Sequence, residues 1–168
     1  MKKNDAIRKV VIAALFAALS CVATLIVKIP TPMKGYINLG DCIVLVAGWA
    51  FSPFVAFFAV GLGSALADIF LGYIIYAPAT FVIKTAMAFL TYFVSKALGK
   101  RAHSLFAKTT SGFLAELLMA AGYFVFEGFL YGFGASLVNI PANALQGAVC
   151  LVLGILLSEA LKKTKIKF

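Results

Sequence analysis

The chain has 168 residues, 63% of them hydrophobic, with a mean hydropathy of +1.03 and a formal net charge of +9. An apolar share this far above the roughly 45–50% of a globular domain excludes an ordinary soluble fold. Apolar runs of about 18 residues or more recur along it, long enough to cross hydrocarbon, and they lack the period-2 alternation of a transmembrane β-barrel. The expected class is all-α: a single membrane bundle of six transmembrane helices. The positive charge lies at the flanks of the apolar runs, the pattern of topology signals, which argues against nucleic acid as a partner.

The six spans are read over residues 6–29, 39–51, 54–72, 78–99, 110–131 and 139–161. In the first, Lys2, Lys3, Arg8 and Lys9 precede an apolar run from Val10 to Val27 that is too long for the core of a cleaved signal, so it reads as a retained helix. It carries Ala13, Ala14, Ala17 and Ala18. Alanines four apart make a smooth stripe, which serves either packing inside the bundle or docking on another subunit. Pro30 and Pro32 end this span. The stretch Pro30 to Asp41 is the polar interruption around which the chain is organised, with Tyr36, Asn38 and Asp41 at the mouth of the next run. The second span is short for a full crossing, so it tilts or begins inside the protein. Pro53, Pro78 and Pro141 each suit the first turn of a helix, where the missing N–H costs nothing.

Twelve of the fifteen Lys and Arg fall in the N-terminal flank, the 96–108 region and the C-terminal tail. With six spans these three regions share one side, which the positive-inside rule assigns to the cytoplasm together with both termini. The 100–109 connector is expected to set topology and touch anionic lipid.

Ionisable residues inside a span are expensive and are paired or functional. Here they are Asp41, Asp68, Lys84, Glu116 and Glu127. Counting along each helix places Asp41, Asp68, Lys84 and Glu127 in one outer layer, with Asn139, Asn143 and Gln146 at the start of the last span. Asn139, Asn143, Gln146 and Cys150 recur on one helical face. Glu116, Ala120, Tyr123 and Glu127 share another, continued by Tyr131, and Thr80, Lys84 and Met87 a third. These faces point into the bundle, because lipid offers them no hydrogen bonds. The candidate substrate-binding set is Tyr36, Asn38, Asp41, Lys84, Tyr123, Glu127, Tyr131, Asn139, Asn143 and Gln146. Asp68 is a candidate for a structural ion pair with Lys84. Glu116, nearer the cytoplasmic half, is left outside the site, and Tyr73 and Tyr76 are read as interfacial aromatics.

The three cysteines, in no paired spacing, read as small buried residues, and with one His there is no material for a metal centre. No HExxH, Gly-x-Ser-x-Gly or P-loop occurs, so the chain is not expected to be an enzyme or to bind ATP.

Tyr36-Ile37-Asn38-Leu39-Gly40-Asp41 leading into Ala47-Gly48-Trp49, Gly61-Leu62-Gly63-Ser64-Ala65-Leu66-Ala67-Asp68, and Gly72-Tyr73 with Tyr76-Ala77-Pro78-Ala79-Thr80 give the chain a resemblance. With the six-span layout and Ala-rich first helix, it resembles the substrate-binding S components of energy-coupling factor (ECF) vitamin transporters, in the riboflavin-transporter-like group. The resemblance implies that an Ala-x-x-x-Ala motif, Ala13/Ala17 or Ala14/Ala18, docks onto a transmembrane scaffold subunit coupled to two ATPase subunits. Any ATP would be used by those partners, with no cofactor on this chain. It also implies that Pro30 to Asn38 acts as a lid and that a vitamin binds among that loop and the last three spans. Transport is then thought to involve toppling of the S component in the bilayer of the cell membrane. A pocket richer in carboxylate and amide than in cation suits a small polar ring such as pyridoxine or hydroxymethylpyrimidine. Pantothenate or riboflavin remain open. The competing readings are a stand-alone proton-coupled transporter using Asp68 or Glu127, a membrane enzyme acting on lipid head groups, and a purely structural subunit.

Overall fold

The computed structural model describes residues 2–31, 35–50, 54–98 and 104–163. Pro32, Met33 and Lys34 of the expected lid, Pro53, the connector residues Lys100 to His103 and the tail beyond Lys163 lie outside the described residues. The elements are α1 (Lys2–Ile26), a hairpin of β1 (Ile29–Pro30) and β2 (Tyr36–Ile37), α2 (Gly40–Ala50), α3 (Phe54–Phe70), α4 (Ala77–Ala97) and α5 (Leu105–Tyr131). A short α6 (Phe133–Ser136) and a 3₁₀ turn (Leu137–Asn139) then lead into α7 (Ile140–Lys163). Among the described residues, four helical stretches are long and apolar enough to cross a membrane: Ala6–Ile26, Ala77–Ala97, Leu105–Tyr131 and Phe133–Lys163. Two further apolar helices are shorter.

Helices α1, α3, α4, α5 and α7 pack in that order as neighbours, and α2 touches all five. This explains why the second apolar run is short. Every residue from Gly40 to Trp49 is buried, so α2 is an interior helix, apolar on all sides because it meets protein on all sides. The surrounding helices turn the opposite pattern outward: Val10, Ile26, Phe70, Val82 and Phe129 are all exposed. That is the surface hydrocarbon favours.

Close helix contacts follow from glycine. On α3, a Cβ at Gly63 would lie 2.1 Å from the Ala17 carbonyl oxygen of α1, and one at Gly61 would lie 2.8 Å from the Phe81 carbonyl of α4. Two glycines two residues apart thus bring α3 against backbone on both sides. Ser20 and Ser64 share a 2.8 Å hydrogen bond across the same α1–α3 seam.

This packing divides the alanine stripe of α1. Ala13 is buried in the bundle, and Ala17 is partly covered, its carbonyl taken up by the contact with Gly63. Ala14 and Ala18 face outward. Of the two registers read in the sequence, Ala13/Ala17 and Ala14/Ala18, the second presents the outward surface.

One basic residue differs from its expected setting. Lys108, read as part of the lipid-facing connector 100–109, lies in the first turn of α5, which Ser104 caps by accepting from the Ala107 N–H at 3.2 Å. The helix turns Lys108 inward, where it is buried, bonds Glu159 of α7 at 2.6 Å and lies 5.7 Å from the Trp49 ring. The Trp49 indole N–H donates to Ser111 at 2.9 Å, so α2 is anchored on α5 one turn further along.

Candidate binding site

The end of the bundle under the β1–β2 hairpin encloses a cavity of about 460 Å³, counting its open mouth. Each wall comes from a different element because several helices bring polar residues to this end. They lie in the last turns of α1, α3 and α5 and the first turns of α4 and α7.

Of the ten candidate substrate-binding residues, eight line the cavity: Tyr36, Asn38, Lys84, Tyr123, Glu127, Asn139, Asn143 and Gln146. Asp41 and Tyr131 do not. Asp41 lies below the floor and holds it together. Its carboxylate pairs with the Lys84 ammonium, both side chains being fully buried. Its other oxygen accepts from the Gln146 side-chain amide at 2.6 Å. Gln146 in turn accepts from the Asn38 backbone N–H at 2.8 Å, while the Asn38 side-chain oxygen accepts from the Gly40 N–H at 2.9 Å. One chain of polar contacts therefore ties the end of the hairpin to α2, α4 and α7.

The expected Asp68–Lys84 pair is not formed; Lys84 pairs with Asp41 instead. Asp41 opens the interior helix, where no solvent reaches it, so its charge requires a buried cation. Asp68 accepts a hydrogen bond from the Tyr36 hydroxyl and becomes part of the cavity wall. Burial, with the Asp68 carboxylate beside it, pushes the Tyr36 phenol well above its ordinary range, so Tyr36 stays a donor.

Glu127 accepts from the Asn139 side-chain amide at 2.9 Å and from the Tyr76 hydroxyl at 3.3 Å, both through one oxygen. The hairpin reaches this acid directly: a Cβ at Gly35 would lie 3.4 Å from the same Glu127 oxygen. Thr80 and Tyr123 share a 2.9 Å hydrogen bond, and the Lys84 nitrogen lies 5.2 Å from the Tyr123 ring centre. Four buried oxygens of the lining have no hydrogen-bond partner among the described residues: Thr31 Oγ1, Asp68 Oδ2, Glu127 Oε2 and Asn139 Oδ1. A buried polar atom left unpaired is costly, so these four call for hydrogen-bond partners that the described side chains do not supply.

Thr24, Thr31, Ser64, Tyr76 and Thr80 also line the cavity and were not among the candidates. A signal existed for some. Ser20 and Thr24 are polar residues four apart on an apolar helix, and Thr80 shares a face with Lys84. Tyr76, read as an interfacial aromatic, faces the cavity, whereas Tyr131 lies one layer further out. Glu116 lies outside the cavity, buried with its side chain against Gly147 of α7. Among the described residues no group of three or more His, Cys, Asp or Glu is placed to hold a metal ion.

Comparison with known proteins adds to this geometry. Residues 4–163 match the family model described as "ECF-type riboflavin transporter, S component". The chain is 33% identical over 143 residues to a Pyrococcus woesei protein known as "Uncharacterized protein in gap 3'region". That match covers 84% of this chain and 93% of the relative. It is 25% identical over 165 residues to the thiamine precursor transporter HmpT of Lactococcus lactis subsp. cremoris strain MG1363, covering 97% of this chain and 93% of that protein.

Proposed function

The chain belongs to the ECF-type riboflavin transporter S-component family, a family of multi-pass cell-membrane transporter subunits, and on that premise we propose that its cavity captures a small water-soluble vitamin or vitamin precursor from outside the cell. The reading assigns binding to Tyr36, Asn38, Asp68, Tyr76, Tyr123, Glu127, Asn139, Asn143 and Gln146, with Asp41 and Lys84 holding the floor. Both termini lie in the cytoplasm, in keeping with the distribution of Lys and Arg. A scaffold subunit docks on the Ala14/Ala18 face, and two ATPase subunits supply the energy. This chain performs no chemistry on its ligand.

The four unpaired buried oxygens carry the choice of ligand. They call for a compact solute with several N–H or O–H donors. Among the described residues that line the cavity, Lys84 is the one cation beside the carboxylates Asp68 and Glu127, and it is committed to Asp41. A carboxylate ligand such as pantothenate would meet like charge there. An aminopyrimidine bearing a hydroxymethyl group, or pyridoxine, presents donors around a small flat ring. The likeness to a thiamine precursor transporter favours the pyrimidine of the two. Binding proceeds by seating the ring among Tyr36, Tyr76 and Tyr123, satisfying the orphaned oxygens, and closing the hairpin over it. Gly35 keeps a side chain out of the place where that backbone crosses Thr31 and faces Glu127: a Cβ there would lie 2.9 Å from the Thr31 hydroxyl oxygen and 3.4 Å from a Glu127 carboxylate oxygen.

The test is a ligand panel on purified protein in detergent, read by thermal shift and by mass spectrometry of co-purified small molecules. Hydroxymethylpyrimidine or pyridoxine is expected to raise the unfolding temperature. Stabilisation by pantothenate alone would overturn the charge argument. Uptake into vesicles by this chain without partners, abolished by an uncoupler, would favour a proton-coupled transporter instead.

A further inference from the structure

A second pocket opens beside the cavity, lined by Gly72, Tyr73, Ile75, Tyr76 and Tyr131. It forms where the connector between α3 and α4 faces the last residue of α5. Tyr76 belongs to both linings, so one ring is the partition between the open pocket and the enclosed cavity.

Tyrosine at a membrane surface commonly forms a belt around the protein. Here the rings are gathered instead. Of the six tyrosines in the chain, three wall the open pocket, and Tyr36 and Tyr123 join Tyr76 in the inner cavity. The rings are continuous: Tyr73 lies 6.2 Å from Tyr76 and 4.8 Å from Tyr36, centre to centre. Tyr73 is itself held in place, with the Lys28 ammonium 4.8 Å above its ring. The Tyr76 hydroxyl donates inward to Glu127, and Tyr131 shares the lining of the outer pocket with Tyr76. A flat polar ring moving inward thus meets aromatic walls and hydroxyl partners without a break.

We propose that the Tyr73–Tyr76–Tyr131 pocket is an entry subsite, which holds a flat heteroaromatic ring transiently before it passes Tyr76 into the cavity. The inference rests on the binding role proposed above. It gives Tyr131 a place on the route in place of a contact with the seated ligand. Such a subsite accelerates capture and release together, because both use the same path, and it leaves the equilibrium affinity of the inner cavity unchanged.

The experiment uses the full-length purified chain and radiolabelled hydroxymethylpyrimidine. Ile75→Trp fills the subsite from an exposed position, and Tyr131→Leu removes one of its walls. Each variant is expected to slow association and dissociation in parallel by about tenfold, with Kd held within about twofold of wild type. Thermal unfolding identifies which of the two variants is folded, and either one suffices. Wild-type rates in a folded variant overturn the subsite. A loss of affinity through faster dissociation alone also overturns it, because the residue then contacts the seated ligand. Failure of the wild-type chain to bind the probe overturns both this inference and the ligand reading beneath it, whereas normal binding with unaltered rates overturns the subsite alone.

Discussion

Lys84 of α4 pairs with Asp41 of α2, and both side chains are shut off from solvent. This contact decides the chemistry of the cavity above it. With Lys84 neutralised from below, the described lining presents the carboxylates of Asp68 and Glu127, four amides, three phenols and the hydroxyls of Thr24, Thr31, Ser64 and Thr80.

Breaking that pair leaves a buried charge without its counter-ion. Lys84→Met or Asp41→Asn alone is expected to cost about 3–5 kcal/mol. The double variant Lys84→Met with Asp41→Leu recovers much of that loss. Thermal unfolding of the three proteins in one detergent checks this. Equal stability of the single variants and wild type would mean the pair contributes nothing.

Glu127 and Asn143 belong to the wall rather than the frame. Glu127→Gln keeps an acceptor for Asn139 and Tyr76 but removes the charge facing the cavity. Ligand affinity is expected to fall about ten- to a hundredfold, the range of a charged hydrogen bond, with the unfolding temperature nearly unchanged. Asn143→Ala is expected to weaken binding less, also without unfolding. Titration of both variants with hydroxymethylpyrimidine, beside their melting curves, separates the two effects.

Gly35 lies where the hairpin meets Glu127. Gly35→Val puts a branched side chain into that contact, so the hairpin no longer seats. Binding is expected to be lost, while the melting temperature holds because each strand of the hairpin is only two residues long. Affinity near that of wild type in this variant would show that the hairpin need not close.

The two faces of α1 are expected to respond differently. Ala14→Leu with Ala18→Leu alters an outward surface, so co-purification with the scaffold and ATPase subunits should fail while ligand affinity is retained. Gly63→Ala acts from inside, placing a methyl against the Ala17 carbonyl, and is expected to destabilise the bundle by about 1–3 kcal/mol. If Gly63→Ala leaves stability untouched and the alanine variants unfold instead, the inner and outer faces have been assigned the wrong way round.

Much of this protein was legible in its residues. Hydropathy and the five prolines mark the apolar segments, because a helix crossing hydrocarbon must satisfy its own backbone and proline tolerates few positions in it. The height of each polar side chain also follows from counting, at about 1.5 Å per residue. This is why eight residues chosen by depth are found around one cavity. Rotation about each helix axis does not follow from counting. Counting puts Asp41 and Asp68 in one layer, and only the placement of α2 inside the ring of its neighbours gives Lys84 to Asp41. The same packing turns Tyr76 inward and leaves Tyr131 outside, and it hides Ala13 while exposing Ala14. Depth is a local property of chain length along a helix; azimuth is set by which neighbour each helix packs against, and that is decided only when the whole bundle has assembled.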